Sequence, residues 1–254
     1  MRDEYVGDVG DFGKYILLDE LSGISKGKVK IGINWYYNVT PLPINNLLPD
    51  KIRRGYIYLS DGKGRYRNLN RHMFDSLRSI VFNNDSTPQL SDIENKKVVK
   101  DCLFYRKPIP YSQPTKERRA HREQWFQESL NTLDGADVIF LDPDNGVAPF
   151  TVTKSQTDSV KYVFVDEIKR YYDLKKSLII YQHRDFSPMV DFTSRFMTSL
   201  LHIKPQCFPL FLRFSRVSVR YYALIARTEK HNVLFAKLFN KLTNDYAYLF
   251  GSCD

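Results

Sequence analysis

The residues best suited to chemistry stand in one short stretch, Asp142-Pro143-Asp144-Asn145-Gly146, directly after the apolar run Val138-Ile139-Phe140-Leu141. A proline stiffens such a turn, and a glycine lets a backbone or ligand approach closely. Two carboxylates and an amide at a strand end can share a proton, bind a divalent cation, orient a water, or accept hydrogen bonds from an exocyclic amine. A second polar knot, Gln182-His183-Arg184-Asp185, follows another apolar run, and a third candidate is Asn34-Trp35-Tyr36. The plainest alternative is a turn built from turn-forming residues and a histidine satisfied at a sheet edge. A turn alone needs no two acids behind a buried strand, and His183 gains weight from its polar neighbours. Asp142, Asp144, Asn145 and His183 are therefore the expected catalytic residues.

These residues need elements to position them. Residues 15–21 have the spacing of an amphipathic helix ended near Gly23, and Val29 opens a β-branched and aromatic core strand over 29–36. Residues 56–59 predict a short strand, 74–82 a helix, 98–105 a strand and 123–133 a helix bounded by Gly135. The second half alternates strand, helix, strand, helix over 136–141, 166–174, 177–181 and 190–201. Strands apolar on both faces and separated by helices imply right-handed crossovers and a parallel sheet. Residues 208–214 and 220–226 are joined too closely for a crossover, which predicts an antiparallel hairpin before a last helix over 231–242. The expectation is one α/β domain over 1–254, three-layered and Rossmann-like, with a mostly parallel sheet ending in the hairpin and an elaborated loop region around 39–69. In such sheets ligands sit beyond the carboxyl ends of the strands, where all three polar segments fall.

Composition sets the surroundings. At 254 residues and 43% hydrophobic, the chain can bury a sizeable core, and no apolar run approaches the roughly 20 residues a membrane helix requires. Met1-Arg2-Asp3-Glu4 is charged where a signal peptide would turn apolar, so a cytoplasmic location and no membrane partner are expected. Three widely spaced cysteines suggest neither a disulfide framework nor a thiolate metal site. The net charge of +9 favours a polyanionic partner, DNA or RNA. The cations cluster beside aromatic residues: Arg65 and Arg67 near Tyr56, Tyr58 and Tyr66; Arg118, Arg119 and Arg122 before Trp125; and Arg216 between two apolar runs. These six arginines are the expected nucleic-acid contacts, with aromatic rings available for base stacking.

The stretch 138–145 resembles the (D/N)-P-P-(Y/F/W) signature of amino methyltransferases. In that signature the acid, the proline and a backbone carbonyl grip the target amine, and the aromatic stacks on a flipped base. Gly10-Asp11-Phe12-Gly13-Lys14-Tyr15 is similar to the segment before the first strand in Dam-type DNA adenine methyltransferases and in large-subunit ribosomal RNA adenine-N6 methyltransferases. The resemblance implies S-adenosylmethionine as cofactor, bordered by Gly10, Gly13, Lys14 and Asn34. It also implies an exocyclic amine of DNA or RNA as substrate, bound by Asp142 and Asn145. The same Gly10 to Lys14 segment can be read as an anion-holding helix entrance. Where that family turns on Gly-x-Gly after its first strand, this chain has Asn34-Trp35-Tyr36. The alternatives are a cofactor-free N-glycosylase using Asp142 or Asp144 with His183, a nuclease holding magnesium on Asp142, Asp144 and Asp185, and a non-catalytic nucleic-acid-binding module.

Overall fold

The structure, a computed structural model, describes residues 1–41, 55–60, 64–82, 87–185, 187–203 and 209–252. Helix α1 (Val9–Ser25) leads into strand β1 (Ile31–Asn34), and α2 (Arg65–Leu69), α3 (Arg71–Val81) and α4 (Leu90–Asn95) precede β2 (Cys102–Tyr105). Helix α5 (Thr115–Thr132) leads to β3 (Val138–Leu141), followed by a short pair, β4 (Gly146–Val147) and β5 (Tyr162–Val163). Then come α6 (Val165–Asp173), β6 (Ser177–His183) and α7 (Met189–Leu201). The hairpin β7 (Leu210–Arg216) and β8 (Ser218–Ile225), helix α8 (Glu229–Asp245) and β9 (Phe250–Ser252) complete the chain.

Seven strands form one sheet in the order β2-β1-β3-β6-β8-β7-β9. The first four pair in parallel, while β8 pairs antiparallel with both β6 and β7, and β9 antiparallel with β7. Five strands thus run one way, and β8 and β9 the other. The expected α/β class, the mostly parallel direction and the terminal hairpin are all present. The hairpin folds back so that its second strand, not its first, borders the parallel half. From β1 the sheet grows first toward β2 and then, after α5, toward β3, which opens a crevice at the carboxyl ends of β1 and β3.

The side-chain alternation of the strands explains where the core sits. Val138, Phe140, Ile179, Tyr222 and Leu224 join one buried cluster with Phe12 and Leu17 of α1, Leu77 of α3 and Phe235 of α8. Ile139, Leu141, Leu178, Ile180 and Ala223 join a second with Trp125 and Phe126 of α5, Ile168 of α6 and Phe192 of α7. No helix among the described residues is long and apolar enough to cross a membrane.

Several local expectations need correction. Helix α1 begins at Val9, well before the expected Tyr15, because Asp8 caps it by accepting from the Asp11 amide at 2.8 Å. Residues 56–59 do not extend as a strand: Ile57–Ser60 is a 3-10 turn, pinned by the Tyr58 hydroxyl donating to the Gly7 carbonyl at 2.9 Å. The strand expected from Val98 starts at Cys102, since Val98 belongs to the end of α4 through its amide bond to Ile93. Helix α5 starts at Thr115, eight residues before the expected start, with Pro114 at its cap. Much of the loop region expected around 39–69 lies outside the described residues, but Arg65–Leu69 within it is helical.

Candidate active site

A cleft of about 660 Å³ opens where the carboxyl ends of β3 and β6 meet the amino-terminal turns of α1 and the β7–β8 tip. Its lining includes Asp11, Lys14, Asp142, Asp144, Asn145 and His183. The structure therefore brings together all four expected catalytic residues with Lys14 and Gly10. The last residue of β1 holds the loop, because the Asp142 amide donates to the Asn34 backbone carbonyl at 3.0 Å. The Asn145 carbonyl accepts from the His183 amide and from Gln182 Nε2, each at 3.1 Å, which locks the two polar segments side by side. Gly146 turns the loop at φ +111, and the Val147 amide donates to Gln182 Oε1 at 2.8 Å.

Ion pairs form the cleft floor. Lys14 Nζ donates to Asp11 Oδ1 at 2.8 Å and to Asp142 Oδ2 at 2.7 Å, with all three side chains at most 4% exposed. Asp11 also accepts from the Gly7 amide at 2.9 Å and from the Tyr15 hydroxyl at 3.1 Å. Burial pulls the Lys14 pKa down, but Asp11 and Asp142 outweigh it and hold the ammonium well above the ordinary lysine range. A lysine held protonated in this way is an electrostatic anchor, not a nucleophile. Burial pushes the Asp142 carboxyl above its usual value, against the pull of Lys14 and of the Met1 nitrogen. Asp8 is also raised by burial, although Arg220 Nη2 donates to it at 3.0 Å and pulls the other way.

Asp144 differs from Asp142. Its side chain is 12% exposed against 2%, and it is held by Asn38 Nδ2 at 2.6 Å and by the Met1 nitrogen at 3.0 Å. That nitrogen also donates to the carbonyls of Trp35, Tyr36 and Asp142 at 2.9 to 3.1 Å. His183 Nδ1 lies 3.2 Å from the Tyr181 hydroxyl, whose pKa burial pushes up to about 12 against Arg220 and Lys14. Tyr5, Tyr56 and Tyr111 also line the cleft, beside Arg2 and Lys161. The arrangement offers Asp144, Asp8 and Asp158 as carboxylates more open than Asp142, one histidine oriented by a tyrosine, and aromatic and cationic walls.

S-adenosylmethionine does not fit these residues in the manner the resemblance implies. Asn34 is fully buried, with its side-chain Nδ2 donating to the Tyr171 hydroxyl at 3.2 Å and its Oδ1 accepting from the Tyr36 backbone amide at 3.1 Å. Where a glycine turn would admit a cofactor, Trp35 stacks on Phe104 at 6.1 Å, and Tyr36, at φ +45, drives its hydroxyl to Glu167 at 3.1 Å. The missing side chains of Gly10 and Gly13 make room for this chain's own groups. A Cβ would lie 2.5 Å from the Arg220 guanidinium at Gly10 and 2.3 Å from the Phe214 ring at Gly13.

The six arginines separate. Arg122 is not a surface contact: at 1% exposure it makes bonds of 2.7 and 3.0 Å to Glu167 and donates to the carbonyls of Ser159 and Tyr162. Arg118 is spent on the carbonyls of Tyr111, Gln113 and Ser155, and Arg67 on Asp75 at 2.8 and 2.9 Å. Arg119 is exposed. Arg65 and Arg216 converge on the Tyr248 ring, at 4.4 and 3.8 Å from its centre. Asp185 stands apart from the cleft, paired with Arg195 at 2.7 Å, and no group of three metal-ligating side chains gathers among the described residues. The magnesium set of Asp142, Asp144 and Asp185 is thus not assembled.

No family model, curated protein or solved structure matches this chain. The sequence missed Asp8, Asp11, Tyr181 and Arg220. Only Asp8 carried a readable signal, an acid one residue before a helix start. Arg220 gains its role from Asp8, 212 residues away in the chain, whereas Asp11 and Tyr181 act on near neighbours, Lys14 and His183, which only the folded chain brings to one cleft.

Proposed function

We propose that the cleft takes up a single nucleotide of a nucleic acid and hydrolyses its N-glycosidic bond without a cofactor. The observation that carries this reading is the placing of Asp144 and His183 on one cleft of about 660 Å³, a size suited to a nucleoside. The base stacks among Tyr5, Tyr56 and Tyr111. Asp144 takes a proton from a water, whose oxygen bonds to C1′ as the C1′–N bond breaks, and its charge steadies the developing sugar cation. The bonding electrons leave with the base, which takes a proton from His183. Asp142, committed to Lys14, holds the loop in place.

The sheet order favours a second reading, methyl transfer to an exocyclic amine, because a parallel sheet finished by an antiparallel hairpin is the ground plan of the Rossmann-like, three-layer methyltransferases. Asp142 and Asn145 would then grip the amine. The experiment that separates the two incubates oligonucleotides bearing altered bases with wild type, Asp144→Asn and His183→Ala, without S-adenosylmethionine. Free base is measured by mass spectrometry and abasic sites by alkali cleavage. Base release lost in both variants supports hydrolysis. No release, together with calorimetric binding of S-adenosylhomocysteine, supports methyl transfer.

A further inference from the structure

The hairpin at the cleft rim turns on one residue. Arg216 and Ser218 are register partners, so Val217 alone forms the tip. Val217 adopts φ +61, a left-handed conformation that is strained for a β-branched side chain. It is also 61% exposed. Glycine or asparagine would relieve the strain, and any polar residue would suit the water better. Two unfavourable features at one position that also borders the cleft call for a use.

The tip is firmly seated. Asp8 holds the buried Arg220, and Arg220 Nη1 donates to the Arg216 carbonyl at 3.3 Å, directly before the tip. The Arg216 guanidinium lies over Tyr248, which also carries Arg65 and is met edge-on by Tyr66 at 5.5 Å. An apolar side chain is therefore held out rigidly between a nucleotide-sized cleft and a pair of guanidiniums. Proteins that unstack base pairs insert apolar wedges of this kind, and a nucleotide swung out of a duplex leaves a gap that must be filled.

We infer that Val217 is a wedge that enters the stack of a base-paired nucleic acid as a nucleotide swings into the cleft, with Arg65 and Arg216 on the flanking phosphates. The inference rests on the reading of the cleft as a nucleotide site and names its substrate as a duplex. DNA and RNA duplexes share the chemistry, and separate arms of the test tell them apart.

The test uses 2-aminopurine beside a central mismatch, in DNA and in RNA duplexes, with affinity for duplex and single strand measured by anisotropy. Val217→Asn keeps the left-handed backbone and removes the wedge, and Val217→Ile retains an apolar β-branched tip. The expected result is a fluorescence rise with wild type and Val217→Ile. With Val217→Asn the rise is lost and the duplex-to-single-strand affinity ratio falls about tenfold, while the melting temperature holds or increases. A Val217→Asn protein that unstacks and binds duplex like wild type overturns the wedge and leaves the nucleotide site standing. Equal loss of duplex and single-strand binding also overturns the wedge, since the tip would then act as general surface. A wild type that binds neither form overturns both readings.

Discussion

Lys14→Met tests the floor of the cleft. The substitution keeps the length of the side chain and removes the ammonium, leaving Asp11 and Asp142 facing each other at 2% exposure. Asp11 retains the Gly7 amide and the Tyr15 hydroxyl, but Asp142 loses the only side-chain bond described for it. Removing one partner of a buried ion pair costs about 3–5 kcal/mol, because the other charge stays desolvated. The pH dependence follows from the direction of the Asp142 shift. Its folded-state pKa already lies above the ordinary value through burial, and Lys14 is the largest influence lowering it. Without Lys14 it rises further. The fold then keeps a proton that the unfolded chain has released, so stability falls as pH climbs from the unfolded value toward the raised folded one. Urea unfolding should show the full loss at about pH 8 and a loss smaller by ~1–2 kcal/mol at about pH 5, each pKa unit being worth about 1.4 kcal/mol. Adding Asp142→Asn should recover part of the deficit. A loss below about 1 kcal/mol that does not change with pH would refute the account of the floor.

Four further substitutions separate structural from functional roles. Arg122→Met strips Glu167 of its buried partner and should cost about 3–5 kcal/mol in chemical denaturation, whereas Arg119→Ala should leave the melting temperature unchanged and lower the salt slope of nucleic-acid binding by about one. Gly13→Ala puts a methyl 2.3 Å from the Phe214 ring and should destabilise by ~1–3 kcal/mol in urea titration without changing nucleic-acid affinity. Asp144→Asn should lower single-turnover base release by roughly 10²- to 10⁴-fold, with affinity retained in anisotropy.

The legible parts of the sequence were those whose burial is set locally. The runs ending at Leu141 and Tyr181 are apolar on both faces, so they read as central parallel strands, and the polar residues after them fall on the cleft. The start of α1 was harder to read, because glycines at 10 and 13 look like a loop until Arg220 and Phe214 are packed against them. Tertiary packing overrode helix propensity there. The cation run before Trp125 read as a surface patch, yet Arg122 stands three residues before Trp125 and shares its inward face with Phe126, Ser129 and Leu130. That spacing was available in the sequence. The resemblance put Gly10 to Lys14 and Asp142 to Asn145 at one site, but the direct ion pair of Lys14 with Asp142 was not legible, since 128 residues separate them and neither run specifies the other.

The most direct test of cofactor-free hydrolysis at Asp144 uses a duplex in which the target sugar is replaced by a cationic azasugar, a mimic of the sugar cation. If the cleft stabilises that cation, the azasugar duplex should bind at least about 10²-fold more tightly than the same duplex with an ordinary nucleotide, and Asp144→Asn should abolish the difference. Equal affinity for the two duplexes in wild type, or a preference that survives Asp144→Asn, would contradict it.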